Sequence, residues 1–181
     1  SAASYRASLD LARREGIRWR RARPGDVIVI DGVTFRILAP DSAWTASLND
    51  PNLASVVLIA EYGDVRMLFM GDAERPEEEW LLEHERSELH ADVLKVGHHG
   101  SKTSSSEPFL DAVSPRLALV SVGAGNTYHL PTPDVLRRIA AHGAQVLRTD
   151  LVGPIVARTD GNRVFVETAG DTWELPTRSP R

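Results

Sequence analysis

An α/β domain built on a mixed sheet is the fold this sequence predicts, and three observations predict it. Two apolar segments flank Asp31-Gly32, a two-residue hairpin signal. A second pair flanks Tyr62-Gly63-Asp64. From Asp92 onward, short strands alternate with helices, as in parallel βαβ units. Hairpins followed by βα units give a mixed sheet with helices packed on it.

Residues 4–15 place Tyr5, Leu9, Leu11 and Ala12 at helical spacing, and Gly16 is a natural stop. Val27 to Ile30 and Thr34 to Leu38 form the first hairpin. Pro40 to Pro51 is a polar loop, and Ser55 to Glu61 with Val65 to Met70 form the second hairpin. Glu74 to His84 is an acidic helix directing Trp80, Leu81 and Leu82 inward, with its early glutamates at the positive end of the helix dipole. Asp92 to Val96 is a strand. The following helix, Ser106 to Val113, has Ser106 as N-cap and Pro108 in its first turn. Arg116 to Val122 is a strand, and a helix capped by Thr132 starts at Pro133 and runs to about Ala141. Gln145 to Arg148, Pro154 to Thr159 and Arg163 to Glu167 close the pattern as strands. The domain is expected to span 1–169, with 170–181 a fraying polar tail.

Length and composition suit one domain with a real core: 181 residues, 42% of them hydrophobic. A net charge of −4 argues against a polyanion-binding surface over the whole domain, although Arg13, Arg14, Arg18, Arg20, Arg21 and Arg23 form a local basic run. With no cysteine, disulfides, thiolate metal sites and cysteine nucleophiles are excluded. No apolar stretch reaches the roughly 20 residues of a membrane span, and no signal peptide is visible, so the piece is expected to be soluble.

The chemistry concentrates where strands end. Val65-Arg66-Met67-Leu68-Phe69-Met70 runs into Gly71-Asp72-Ala73-Glu74. Val93-Leu94-Lys95-Val96 runs into Gly97-His98-His99-Gly100-Ser101. Carboxyl ends of strands are where open α/β sheets hold ligands, and carboxylate with imidazole is a donor set for a water-activating metal. Asp72 reads equally as an N-cap for the helix that follows it. Ser101, Lys102, Thr103, Ser104, Ser105 and Ser106 lead into a helix N-terminus, which reads as an anion-binding nest or as plain capping. A third strand-end loop, Ser121 to Pro131, offers Asn126, Tyr128 and His129 as substrate contacts or as an ordinary turn. His84, His90 and His142 read as surface or capping residues.

The ordered set Asn52-x-x-Ser55-Val56-Val57-Leu58, Leu68-Phe69-Met70-Gly71-Asp72-Ala73-Glu74, Asp92 to Ser101 with Ser104-Ser105, and Ser121-Val122-Gly123 with Asn126-x-Tyr128 resembles the metallo-β-lactamase-like domain toward the C-terminus of ComEC-type competence proteins. These are membrane channels for DNA uptake in natural transformation. The resemblance implies an αββα sandwich, a site for one or two divalent metals (zinc or manganese), and phosphodiesterase or nuclease chemistry. It makes Asp72 a metal ligand and matches the His98/His99 pair to the family's last histidine ligand, with His98 favoured as nearer the strand. Ser55 falls where many relatives carry a ligand histidine. The superfamily signature His-x-His-x-Asp-His does not occur, so the chain is expected to lack the N-terminal portion of the domain. The third loop reads Tyr128-His129-Leu130-Pro131 rather than the family's Tyr-Gly-His-Pro.

These expectations combine into one reading. Asp72, His98 and His99 are the catalytic set; Ser101, Lys102, Ser104, Asn126 and Tyr128 contact single-stranded DNA. The parent is a cell-membrane protein with a transmembrane channel, and this chain alone has little or no hydrolase activity. The rivals are a non-catalytic DNA-binding or assembly module and a freestanding metallo-hydrolase acting on a small molecule.

Overall fold

The computed structural model describes residues 2–46 and 51–175, with only the backbone described for Ala2, Pro51 and Asn52. The helix α1 (Ala2–Arg14) comes first, and its Tyr5 and Leu11 are exposed. Strands β1 (Val27–Ile30) and β2 (Val33–Ala39) form the first hairpin, with Asp31 and Gly32 both at positive φ as a tight primed turn requires. The expected polar loop contains a short helix α2 (Ser42–Thr45), started by the Asp41 carboxylate accepting the Trp44 N–H. Strands β3 (Val57–Tyr62) and β4 (Val65–Phe69) follow, then helix α3 (Arg75–His84). The remaining elements are β5 (Val93–Lys95), α4 (Glu107–Val113), β6 (Leu117–Val120), α5 (Pro133–Ala141), β7 (Gln145–Arg148), α6 (Thr149–Val152), β8 (Val156–Thr159), β9 (Val164–Glu167) and β10 (Thr172–Glu174).

Strands β1 to β7 form one seven-stranded sheet in chain order, antiparallel through β4 and parallel from β4 to β7. Strand alternation sends Ile59, Leu68, Leu94 and Ala118 to one face, where they pack with Leu81 of α3, Phe109 of α4 and Ile139 of α5. Val65, Val93, Leu117 and Leu147 point the other way, onto Val164 and Val166 of the β8–β9–β10 sheet. The layers are therefore helices, seven strands, three strands. At the sheet's outer edge all four residues of β1 are exposed.

The tail departs from expectation. Thr172–Glu174 do not fray; they pair antiparallel with β9, and Leu175 is buried, its N–H donating to the Val164 carbonyl. Residues 176–181 of the expected tail lie outside the described residues.

Candidate functional site

Because β4 to β7 are parallel, their carboxyl ends share one edge, and the loops that follow meet there. Two glycines set how closely. A Cβ on Gly97 would sit 2.7 Å from the Ala73 carbonyl oxygen, and one on Gly100 would sit 2.5 Å from Pro131 Cβ. Only bare backbone lets the 97–100 turn fit between the acidic loop and the third loop. Backbone bonds complete the seam, with the His98 N–H donating to Gly71 O and the Thr132 N–H to Gly100 O.

Within that turn His98 and His99 both adopt left-handed backbone, with φ of 43° and 54°. Each such non-glycine residue costs about 1–2 kcal/mol, and strain of this kind collects at functional positions. The consequence is directional. His99 Nε2 faces Asp72, 3.4 Å from Oδ1, while His98 Nδ1 lies 2.8 Å from Glu74 Oε1 without the alignment of a hydrogen bond. His99 rather than the favoured His98 is thus the partner of Asp72. The sequence favoured His98 only as nearer the strand, and the left-handed turn instead directs His99 toward Asp72 and His98 toward Glu74.

His99 Nδ1 is 2.7 Å from the Ser121 carbonyl and donates to it, which turns Nε2 toward the Asp72 carboxylate. Asp72 does not cap α3. Its N–H donates to Ser55 Oγ, and Glu74 occupies the cap position without a side-chain bond. Below the acidic loop, Lys95 Nζ donates to Gly71 O. Burial lowers the Lys95 pKa, and the charge of Asp72 restores part of the shift.

The family's metal requires donors that converge on one point. A catalytic zinc takes three protein ligands and keeps one open position. Among the described residues no three His, Asp, Glu or Cys side chains converge on one point. The imidazoles instead form two separate pairs, His99 with Asp72 and His98 with Glu74, so the described donors do not fit a catalytic metal.

The serine run also differs from expectation. Glu78 is buried, and its two carboxylate oxygens accept the N–H groups of Ser105 and Ser106, the latter at 2.8 Å. A protein carboxylate fills the expected anion nest. Arg138 braces it from outside, donating to the carbonyls of Ser105 (2.7 Å) and Ser104 (2.9 Å). Burial raises the Glu78 pKa, against the pull of those N–H groups and of Arg75. Ser104 is buried and donates to Gly97 O, so it shapes the turn from behind. Ser101 exchanges a hydrogen bond with Thr103, and Lys102 is exposed.

In the third loop, the Asn126 amide donates to the Gly123 and Leu130 carbonyls and its oxygen accepts the Leu130 N–H, tying the loop to itself. Tyr128 is 81% exposed. Between this loop and His99 lies a cavity of about 520 Å³. Glu74, Glu78 and Lys95 were not among the expected site residues. Glu74 was legible in the Gly71-Asp72-Ala73-Glu74 run; Glu78, whose partners lie 27 and 28 residues away, was not. His142 does cap α5, its Nδ1 bonding the Arg138 carbonyl.

Comparison with known proteins agrees with this architecture. The chain is 39% identical over 150 residues to ComE operon protein 3 of Bacillus subtilis (strain 168), covering 83% of this chain and 19% of that one. It is 43% identical over 125 residues to the competence protein ComA of Neisseria gonorrhoeae, covering 69% and 18%. The chain therefore spans about a fifth of the length of these relatives. Among solved structures, the CmlA beta-hydroxylase E377D mutant shares the fold with a TM-score of 0.54 at 13% identity, over 77% of this chain and 34% of that one. The family model for the metallo-beta-lactamase superfamily matches residues 5–124, and the chain belongs to that superfamily.

Proposed function

We propose that this domain is the DNA-handling part of a DNA-uptake membrane protein, and that the chain by itself binds single-stranded DNA without cleaving it. The similarity to competence proteins supports the context. Among the described residues no helix is long and apolar enough to cross a membrane, so a channel belongs to other parts of the parent. The observation that carries the proposal is the division of the imidazoles into two pairs instead of one three-donor centre. Metal-dependent hydrolysis of a phosphodiester, the chemistry of the family, needs donors beyond these pairs. The chain's own residues bind and orient. Lys102 supplies an exposed positive charge beside the turn, where a phosphate of the strand would be held.

The test is fluorescence anisotropy with a labelled single-stranded oligonucleotide in chelator, paired with a cleavage assay and thermal melts in zinc or manganese. Binding is expected without metal, with no chelator-sensitive cleavage and no rise in melting temperature. Chelator-sensitive cleavage, or a metal-induced rise in melting temperature, would overturn the two-pair reading. Absence of any DNA binding would overturn the proposal as a whole.

A further inference from the structure

The cavity beside His99 has a chemistry of its own. Val122, Gly123, Tyr128 and Leu130 line it together with His99 and Thr149. Its volume of about 520 Å³ is in the range of small-molecule sites. Most polar groups on its lining are already engaged. Thr149 Oγ1 bonds both the N–H and the carbonyl of Val122, the Ser121 carbonyl accepts from His99, and the Asn126 amide is consumed within its loop. A ligand there is held by its faces rather than by its edges.

We infer that this cavity is a subsite for an unpaired nucleobase of the strand whose phosphate lies beside Lys102, with Tyr128 as the exposed stacking surface at its mouth. The inference rests on the DNA-binding reading above and deepens it by naming what the protein grips. A flat heterocycle presents the same π-face whatever its sequence, so aromatic stacking selects single strands over duplex without selecting a base. A largely apolar cavity lined by His99 and beside the Tyr128 ring suits a base splayed out of its stack. A paired base cannot enter. The scarcity of free donors and acceptors makes the subsite tolerant of sequence.

The experiment compares three probes in chelator: a single-stranded oligonucleotide, a strand of equal length and charge with abasic residues, and the duplex. Two substitutions address the cavity without touching the core. Gly123 lines the cavity and a Cβ there meets nothing within 4 Å, so Gly123→Leu adds bulk to the lining without a clash at the Cβ. Tyr128→Ala removes the stacking surface, and Tyr128→Phe keeps it.

The single strand is expected to bind more tightly than the abasic strand and the duplex. Gly123→Leu and Tyr128→Ala should each weaken single-strand binding about 5- to 100-fold, with abasic binding unchanged and Tyr128→Phe close to wild type. Equal affinity for the normal and abasic strands would overturn the base subsite while leaving a backbone-binding role standing. Wild-type affinity in Gly123→Leu would do the same. No binding of any probe would overturn the DNA reading and this subsite together.

Discussion

Glu77 offers the sharpest quantitative test of how this domain is held together. It lies on α3 with no exposed surface, and neither carboxylate oxygen completes a hydrogen bond among the described residues. Burial pushes its carboxyl from 4.5 up to about 8, and the Ser55 N–H pulls the other way without reversing it. The folded state therefore keeps this proton over a pH range in which the unfolded chain has lost it. The stabilising contribution is complete below about pH 4.5, declines as pH rises, and is gone once pH passes about 8. The full linkage corresponds to about 5 kcal/mol, and local opening that rehydrates the ion reduces the observable part to about 2–4 kcal/mol. Glu77→Met replaces the acid with an unbranched apolar chain of similar length and abolishes the titration. Urea unfolding followed by tryptophan fluorescence, repeated between pH 5 and pH 9, measures both proteins. Glu78 and Glu85 are also raised and add to the wild-type slope, so the difference between the two proteins isolates Glu77. The variant should match wild type within about 1 kcal/mol at pH 5 and exceed it by about 2–4 kcal/mol at pH 9. A difference that does not change with pH would refute the buried neutral acid.

Two further substitutions probe the loops around the site. Glu78→Ala orphans the N–H groups of Ser105 and Ser106 and should cost about 3 kcal/mol in chemical denaturation, with Glu78→Gln recovering part of the loss; equal stability of Ala and Gln would show that the carboxylate does not hold the loop. At the strained turn, His98→Gly should melt above His98→Ala by the equivalent of about 1 kcal/mol, because only glycine relieves the left-handed backbone. Melting curves in the opposite order would mean that the turn relaxes when its imidazole is removed.

The elements legible in the sequence were those fixed by local chemistry. Asp31-Gly32 sets the first turn, Thr132-Pro133 starts α5 where expected, and Gln145–Arg148 is a strand with the expected bounds. Distant partners hid the rest. Thr172-Trp173-Glu174 has two strand-favouring residues but is too short, among Gly170 and Asp171, to mark a strand by itself; its register with β9 makes it one. The serine run reads as an anion nest until the fold brings Glu78 to it from another helix. The two histidines follow β5 at its carboxyl end, but their directions depend on a backbone conformation that the glycines on either side and the neighbouring loops impose together.

The strand order of the large sheet bears on how the chain reaches this structure. Strands β1 to β7 lie side by side in the order in which they are synthesised. Each new strand can dock on the edge left by its predecessor, without waiting for a segment still to come. Contacts in the sheet then span only one hairpin or one strand–helix–strand unit, which keeps loop-closure costs low and favours rapid folding. The seven-stranded sheet can therefore assemble progressively from its β1 end during translation, with the small β8–β9–β10 sheet completing the second core last.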